Sequence, residues 1–517
     1  MFLTLAFLGL IFLCVRYAYR FIQGLRSVEH TPGFRPLFSP ITIMGAALPR
    51  SSWNPGQMWQ WDERETAYFN HSHDVISMVP ILAGKPYYYT CSGEVLKQVL
   101  GNESKLHLAK PQEMTLASLV GDSLASVNGE VWRRHRRIVA PAFNPRTYSL
   151  VRTESSNIYN EMVKAECWIE QGEILVPEIN KLALKFSLLV VARCGFAIPV
   201  KWNNKADSTG KLTFEDAISI ASESLIPRFM LPTWAYKLPI KKLHEIDLAW
   251  KTFGAYMEDY IRTRREKLQQ EEEGSDTGDI LCRLAASYEG SGKYSLSEDE
   301  VMANMFTIMF AGHETTADAI TAALGLLALH QEEQEKAYKE IVNFLSTSDL
   351  KEFNDPGQLP HVQACFREAL RLYPPAFMLP REMQEDVIIQ VQRPVEKPMV
   401  LRKGTRIMMD LISIHRNPNV YEDPHSFRPS RWYGVSEPGV AMFGAGPRAC
   451  VGRKFAHTEA VSFLVNVLRD WKLDISPLDG ESRAEYEERV MRKATQEGTA
   501  LSIGPVPLKL KKRPSMD

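Results

Sequence analysis

The sequence lacks the cysteine pattern of a disulfide-stabilised or zinc-binding protein. Its 517 residues contain seven cysteines, an odd number, at positions 14, 91, 167, 194, 282, 365 and 450. No two of them form a C-x-x-C pair. Single, scattered cysteines are typical of a reducing compartment, and they argue against both a disulfide framework and a structural zinc site.

The sequence also has almost no net charge, because 61 lysines and arginines are set against 62 aspartates and glutamates, which leaves a formal charge of −1. A chain without a basic field has nothing to attract a polyanion, so we expect no nucleic-acid partner. No internal repeat is visible. The apolar content of 45% is that of an ordinary globular protein with a large core.

One long apolar run lies at the N-terminus, from Met1 to Val15. No lysine or arginine precedes it, and three arginines follow it at positions 16, 20 and 26. Positive charge on the C-terminal side predicts a single-pass membrane helix with the rest of the chain in the cytosol. A cleaved signal peptide is the alternative, but the positive n-region and a small-x-small cleavage site are missing. We predict an anchor over residues 1–28 and a proline-containing hinge and entry segment over residues 29–54.

Near the C-terminus, glycines and an arginine surround one cysteine, Cys450. A thiolate that binds a metal needs backbone N–H groups aimed at its sulfur, and glycines allow that approach. The run after Gly452 predicts a helix, and a helix N-terminus favours a thiolate. Taken alone, a single intracellular cysteine is a small buried apolar residue. The complete pattern F-x-x-G-x-R-x-C-x-G, however, resembles the haem-binding loop of the cytochrome P450 family.

The resemblance implies that the cofactor is haem b (iron protoporphyrin IX) and that Cys450 is the thiolate ligand of its iron. It also implies that Phe443, Arg448 and Gly452 bind the cofactor. Arg448 supplies a cation of the kind that pairs with a propionate.

Trp132 and Arg136 are four residues apart and share one face of a predicted helix over Asn128–Arg137. By itself this run is an amphipathic helix with a solvated basic side. Trp-x-x-x-Arg at this distance from the start resembles the family's helix that contacts a haem propionate. The remaining arginines of the run then provide a basic surface able to dock an acidic reductase.

Ser297-Glu-Asp-Glu300 predicts the capped start of a long helix that contains Ala311-Gly-His-Glu-Thr-Thr316. Small residues permit close approach of a planar ligand, and a Glu-Thr pair can interrupt the local hydrogen-bond ladder. A carboxylate beside a hydroxyl can relay protons through water. The alternative is a threonine bonded to its own backbone beside an exposed glutamate.

This second motif resembles the family's oxygen-activation motif. The resemblance implies that Glu314 and Thr315 are catalytic and that Ala311 lies at the cofactor. We expect His313 to be a packing or polar residue rather than a metal ligand.

Glu368 and Arg371 are three residues apart, and most such pairs are exposed. Together with the later Phe427-Arg-Pro-Ser-Arg431, they resemble the family's E-x-x-R and P-E-R-F elements. The resemblance implies a buried network of Glu368, Arg371 and Arg431, although Ser430 replaces the usual glutamate of the second element. Arg381 resembles the family's arginine that contacts a propionate.

Residues Leu225–Lys242 contain three prolines, which preclude one regular helix. Apolar and aromatic side chains alternate there with lysine and arginine, as in a segment that dips into a membrane interface. A packed loop is the alternative. We expect Met114–Val120, Ala376–Leu379 and Glu497–Ala500 to line a mostly apolar pocket.

The resemblance covers nearly the whole chain, whereas periodicity independently supports only a helix-rich protein. It implies a mainly α fold with small β-sheets, the cytochrome P450 fold, with an N-terminal transmembrane helix and a single catalytic haem domain over residues 55–517. The sequence resembles those of membrane-bound fungal members of the family, particularly basidiomycete ones.

The function implied is a monooxygenase of the endoplasmic reticulum membrane that hydroxylates an apolar small molecule, a terpenoid or steroid of secondary metabolism. It would use O2 and electrons from NADPH through a separate cytochrome reductase. Two alternatives stay open: a reductase-independent haem-thiolate isomerase or peroxygenase, and a non-catalytic haem-binding membrane protein.

Overall fold

The computed structural model describes residues 2–101, 109–111, 121–203, 212–270, 279–289, 295–348, 358–435, 442–497 and 500–514. The predicted pocket segment Met114–Val120 lies outside these residues, as does part of Glu497–Ala500. The chain divides into two compact units. Unit 1 comprises Met1–Met114, Phe377–His425 and Gly439–Ala449, and unit 2 comprises Thr115–Ala376, Ser426–Pro438 and Cys450–Asp517.

The predicted class, mainly helical with small sheets, is confirmed. The helices of the described residues are α1 (Phe2–Ser27), α2 (Ile43–Ala47), α3 (Trp59–Asp62), α4 (Gly93–Leu100), α5 (Gly129–Val139), α6 (Pro145–Ala165), α7 (Ile179–Val190), α8 (Phe214–Glu223), α9 (Leu225–Met230), α10 (Lys241–Gln270), α11 (Ile280–Glu289), α12 (Glu298–Leu329), α13 (Gln331–Leu345), α14 (Pro360–Leu372), α15 (Leu411–His415), α16 (Arg453–Asp470) and α17 (Arg483–Tyr486). The strands are β1 (Gly33–Phe34), β2 (Val75–Met78), β3 (Tyr87–Thr90), β4 (Glu173–Val176), β5 (Met378–Glu382), β6 (Val387–Val391), β7 (Lys397–Leu401), β8 (Arg406–Asp410), β9 (Trp471–Ile475), β10 (Ala494–Glu497), β11 (Ala500–Ile503) and β12 (Leu508–Lys512).

Unit 1 is built on a five-stranded sheet with the strand order β1-β2-β3-β8-β5. Strands β2 and β3 form an antiparallel hairpin, and β6 and β7 form a second, separate one. Every residue of β2, β3 and β8 is buried, which explains why these strands lack the alternation of apolar and polar residues typical of a strand with one solvated face. The sheet gives unit 1 its apolar core.

The C-terminal turns of α1 belong to this core. Val28, directly after the helix, is 1% exposed, and Phe21 and Leu25 pack against the same cluster. Gly24 is buried, and a Cβ at its position would lie 2.9 Å from Val79 Cγ1, so only glycine allows this close approach. By contrast, large apolar side chains in the first half of α1 are exposed. By length and composition, α1 is a candidate membrane span.

Unit 2 is organised around α12, a helix of 32 residues that packs against α7, α14 and α16. The predicted capping box is present, because Ser297 Oγ accepts from Glu300 N while Glu300 Oε2 accepts from Ser297 N. Beyond Thr316 nearly every side chain of α12 is buried. Two small sheets complete the unit, the three-stranded β4-β12-β9 and the β10–β11 hairpin.

The Glu-Thr pair, which can interrupt a helix, does not interrupt α12, since the helix is α-helical throughout. Thr315 Oγ1 donates to Ala311 O at 2.8 Å and Thr316 Oγ1 donates to Gly312 O at 3.0 Å. Each hydroxyl therefore shares a carbonyl one turn earlier without opening the backbone ladder.

The segment after α8 is broken, as its prolines predict. It contains the short helix α9 and a 3-10 turn over Thr233–Lys237 instead of one helix. Arg228 pairs with Asp247 at 3.1 Å and lies over the rings of Tyr236 and Trp250, so the segment is held against α10.

The packing of α1 makes a prediction about truncation. Deletion of residues 2–19 should release most of the protein from membranes and leave its thermal midpoint nearly unchanged. Deletion of residues 2–28 should also remove Val28 and its neighbours from the core, at a cost of about 3 kcal/mol or more.

Carbonate extraction and thermal unfolding of the two truncated proteins would measure this difference. Residual, carbonate-sensitive attachment through residues 225–242 is expected in both. Equal thermal midpoints, or carbonate-resistant membrane association after deletion of residues 2–19, would contradict the assignment.

Candidate active site

A fully buried carboxylate, Glu368, lies at the centre of the α14 region of unit 2. Its Oε1 accepts hydrogen bonds from Arg371 Nη2 at 2.8 Å and Arg431 Nε at 3.1 Å. Its Oε2 accepts from Arg371 Nε at 2.9 Å. Glu368 and Arg371 are both 0% exposed and the side chain of Arg431 is 11% exposed, so the structure brings the three predicted network residues together in a largely buried site.

Two further donors complete the shell of this carboxylate. Trp432 Nε1 donates to Glu368 Oε2 at 3.0 Å, and the backbone N–H of Arg428 donates to Oε1 at 3.0 Å. Both come from the segment that carries Arg431. The replacement of the usual glutamate by Ser430 leaves these contacts untouched, because Ser430 is exposed and takes no part in them.

Cys450 lies just before α16, whose N-cap is Gly452. Its thiol is exposed, whereas Cys194 and Cys365 of the same unit are buried, and burial raises the pKa of both buried thiols. An exposed sulfur at a helix N-terminus has the environment that favours a thiolate. Of these three thiols, Cys450 is the one suited to bind a metal.

The helix α5 places Trp132 and Arg136 one turn apart, and both side chains are half-buried. Burial lowers the pKa of Arg136, and an electrostatic interaction with Cys450 acts in the opposite direction. The guanidinium of Arg136 therefore lies within electrostatic reach of the sulfur.

On α12, the segment Ala311–Thr315 opens toward solvent in a helix that is otherwise well packed. Ala311 is exposed, and Glu314 and Thr315 are half-buried. His313 points into the core, bonds through Nδ1 to Met309 O at 2.8 Å, and has a pKa lowered by burial to about 4. These contacts are those of the predicted packing residue.

In unit 1, two arginines predicted to bind the cofactor lie near each other. Arg381 is 5% exposed, and its pKa is lowered to about 10, first by burial and then by the positive charge of Arg448. Burial likewise lowers the pKa of Arg448 to about 10. Two desolvated cations that repel each other favour an anionic ligand. Phe443 is half-buried in the same stretch.

A glycine shapes the loop that carries Arg448. Gly446 has φ +66°, and a Cβ there would lie 1.7 Å from Leu100 O. No other residue fits this position, so the turn depends on the glycine of the F-x-x-G-x-R-x-C pattern. Taken unit by unit, the residues fit a thiolate-ligated haem: the exposed thiol of unit 2 suits an iron, and the desolvated guanidinium groups of unit 1 suit carboxylates.

Sequence reasoning missed one set of residues near this site. His135, which stands between Trp132 and Arg136, is fully buried and contacts Glu300 and Asn304 of α12. Glu300 was predicted only as a helix cap. A histidine inside an arginine-rich helix was the available signal, but its partner cannot be read from local spacing.

A model of the family described as Cytochrome P450 matches residues 47–497. The chain is 29% identical over 503 residues to cytochrome P450 monooxygenase 124 of Postia placenta, covering 95% of this chain and 96% of that protein. It is 26% identical over 432 residues to leukotriene-B4 omega-hydroxylase 3 of Mus musculus, covering 79% and 78%. A crystal structure of a cytochrome P450 matches with TM-score 0.70 and 20% identity, over 90% of this chain and 100% of that chain.

The chain therefore belongs to the cytochrome P450 family. It is a P450 monooxygenase with the P450 fold, and membership of the family implies a thiolate-ligated haem. Members of the family generally use O2 and a reductase. The predicted resemblance to basidiomycete proteins agrees with the relative from Postia placenta.

Because Glu368 lies at the centre of a buried ionic network, we expect even a conservative substitution there to destabilise the protein strongly. Glu368→Gln keeps the shape of the side chain but removes its charge and turns an NH2 group toward the donors. Loss of one partner in a buried ionic network costs about 3–5 kcal/mol. We expect a lower thermal midpoint and loss of bound haem.

Asp259→Asn is the matched control, since Asp259 forms an exposed i,i+3 pair with Arg262 in the same unit. Exposed pairs contribute about 1 kcal/mol or less. Thermal unfolding and haem content of both variants test the comparison. Equal effects would show that burial of the carboxylate has no special importance.

Proposed function

We propose that this monooxygenase hydroxylates an apolar small molecule of the terpenoid or steroid class, using O2 and electrons from NADPH through a separate cytochrome reductase. The observation that carries the oxygenation chemistry of the proposal is the exposed thiol of Cys450 at the start of α16, within electrostatic reach of Arg136. The open segment Ala311–Thr315 of α12 lies in the same unit and supports it.

Each of these residues has a proposed role that follows from its side-chain chemistry. Cys450 would ligate the iron as a thiolate, and a thiolate-ligated haem supplies the activation of dioxygen. Arg136, Arg381 and Arg448 would hold its propionates through charge-assisted hydrogen bonds, with Trp132 as a further donor. Phe443 and Gly452 shape the loop on either side of the ligand. Ala311 leaves room for a planar ring system because it has only a methyl side chain.

Thr315 and Glu314 would handle protons. The hydroxyl of Thr315 already donates to Ala311 O, so its oxygen is left to accept a hydrogen bond from a neighbouring water. Such a water, held between the hydroxyl and the carboxylate of Glu314, can deliver protons supplied by that carboxylate. The backbone bond therefore orients the hydroxyl and is compatible with the proposed role.

Attachment to the endoplasmic reticulum membrane is part of the proposal, with α1 as a single span and the catalytic part in the cytosol. The apolar first half of α1 supports this topology, as do the arginines that follow it. A second apolar surface supports interfacial contact in unit 2, where Trp234 is 64% exposed. Its neighbours are the exposed side chains of Met230, Leu231, Leu238 and Ile240.

A second substrate class comes from one of the relatives. The mouse protein is named for leukotriene B4, a lipid acid, and its likeness extends over 79% of this chain. Membranes containing the protein should be given NADPH, reductase and a panel of terpenoids, steroids and lipid acids, with products identified by mass. Oxygenated terpenoid or steroid products support the leading proposal, whereas products from lipid acids alone replace its substrate class.

The same experiment separates the remaining alternatives. Products formed with peroxide but without NADPH or reductase would indicate the peroxygenase, and a rearranged product without added oxygen would indicate the isomerase. Haem binding without any product from the panel would place the substrate outside these three classes.

The proton role predicts the behaviour of Thr315→Ala. Folding and haem content should be retained, because a half-buried hydroxyl contributes little to packing. General acid steps of this kind are worth about 10²–10⁴-fold in rate. Product per NADPH oxidised should therefore fall and hydrogen peroxide should rise.

Thr316→Ala is the matched control, since its buried hydroxyl makes the same kind of bond to Gly312 O on the same helix. This variant should lose some stability and keep the wild-type ratio of product to NADPH. An unchanged ratio in Thr315→Ala would assign that hydroxyl to packing and favour the reductase-independent alternative.

A further inference from the structure

A buried polar cluster joins α5 to α12 within unit 2. His135 and Asn304 are both 0% exposed, and Asn304 Nδ2 lies 2.9 Å from His135 Nδ1. On the other side of the ring, His135 Nε2 lies 3.3 Å from Glu300 Oε1. Both ring nitrogens therefore have partners on α12, one turn apart.

The partners of Asn304 fix the orientation of its amide. Its Oδ1 accepts from the backbone N–H of Leu124 at 2.9 Å, and its Nδ2 donates to Glu300 O at 2.6 Å. The amide nitrogen therefore faces the imidazole, and His135 Nδ1 must be the acceptor. It follows that Nε2 carries the proton and donates to Glu300. The hydrogen-bond partners therefore fix the orientation of the His135 ring.

Glu300 serves two elements at once. Its Oε2 caps the first turn of α12 by accepting from Ser297 N at 2.9 Å. Its Oε1 accepts hydrogen bonds from His135 and from Arg134, so one carboxylate connects α5 to the start of α12. Because His135 and Asn304 are fully buried, loss of one partner of either side chain leaves an unsatisfied polar atom in the interior.

We call the contacts of His135 with Glu300 and Asn304 the His135 clamp. This clamp lies beside residues predicted to bind the cofactor. His135 is directly adjacent to Arg136 and three residues from Trp132. On α12, Asn304 precedes Ala311 by seven residues, or about 10 Å of helix. The clamp therefore sets the distance between the helix proposed to hold the cofactor and the segment proposed to handle protons.

We propose that His135, clamped between Glu300 and Asn304, is a positioning residue that orients Trp132 and Arg136 toward the cofactor relative to Ala311–Thr315. The inference rests on the proposed function for the identity of the bound group. A merely structural histidine would stabilise the fold without affecting how tightly haem is held or how efficiently electrons reach product.

The test compares His135→Leu with His135→Gln in the full-length holoprotein. Leucine removes both bonds, whereas the amide of glutamine can still donate to Glu300 from the position of Nε2. We measure haem release to apomyoglobin well below the thermal midpoint, and product per NADPH. His135→Leu should release haem at least about tenfold faster and lower the product ratio, and His135→Gln should recover part of both.

His361→Leu is the matched control. His361 is also buried in unit 2 and bonded through both ring nitrogens, to Tyr433 Oη at 2.6 Å and Glu333 O at 2.9 Å, but it lies on α14. It should lower the thermal midpoint without a comparable increase in haem release. Equal haem release from His135→Leu and His361→Leu would overturn the proposal.

If His135→Leu does not fold, Asn304→Ala provides the second test, since it removes one bond of the clamp and leaves His135 with Glu300. It should speed haem release by an intermediate factor, and an unchanged rate would overturn the proposal. Haem release needs no turnover, so a protein that binds haem without NADPH-driven oxidation would lose the proposed function while this comparison still decides the role of His135.

Discussion

The burial of the Glu368 carboxylate is the constraint on which the site-bearing part of the structure depends. A charge with no exposure to water is tolerated only when its oxygens are saturated by donors. Here the donors come from Arg371 on its own helix and from the segment Arg428–Trp432, sixty residues along the chain. The carboxylate therefore fixes a segment whose own regular structure is one short 3-10 helix, Pro429–Trp432. Because α14 packs against α12 and α16, this network also supports the helices that carry the candidate catalytic residues.

Polar contacts also determine how α12 is held. The hydroxyls of Thr315 and Thr316 donate to carbonyls one turn earlier, and the backbone remains α-helical. At its start, Glu300 serves both as helix cap and as the partner of α5. The helix is thus held at its N-terminal end by polar contacts, and beyond Thr316 it is held by apolar burial. Ala311 lies between these two regions and remains exposed.

Much of the site could be predicted because its residues belong to contiguous patterns. The glycines around Cys450, the helix after Gly452 and the capping box of α12 depend on local spacing, and the structure has each of these elements. Prolines also act locally, which is why the break between α9 and α10 was predictable.

What sequence reasoning missed depends on contacts between distant residues. The apolar pattern of α1 continues from its exposed first half into its packed last turns. The close approach of Gly24 and Val79, which are far apart in the sequence, shows that the last turns are packed. The clamp around His135 depends on residues about 170 positions away, as the 169-residue separation from Asn304 shows. The Glu-Thr pair leaves α12 uninterrupted because threonine hydroxyls can share a carbonyl without displacing its backbone donor.

The central claim is that Cys450 is the thiolate ligand of the haem. The most direct measurement is the ferrous carbon monoxide difference spectrum of the wild type, Cys450→Ala and Cys167→Ala, recorded at equal haem concentration. Cys167 is the control because it is an exposed cysteine of the same unit, in the turn after α6. We expect the red-shifted thiolate band in the wild type and in Cys167→Ala, and its absence in Cys450→Ala. Retention of that band in Cys450→Ala would show that another group ligates the iron.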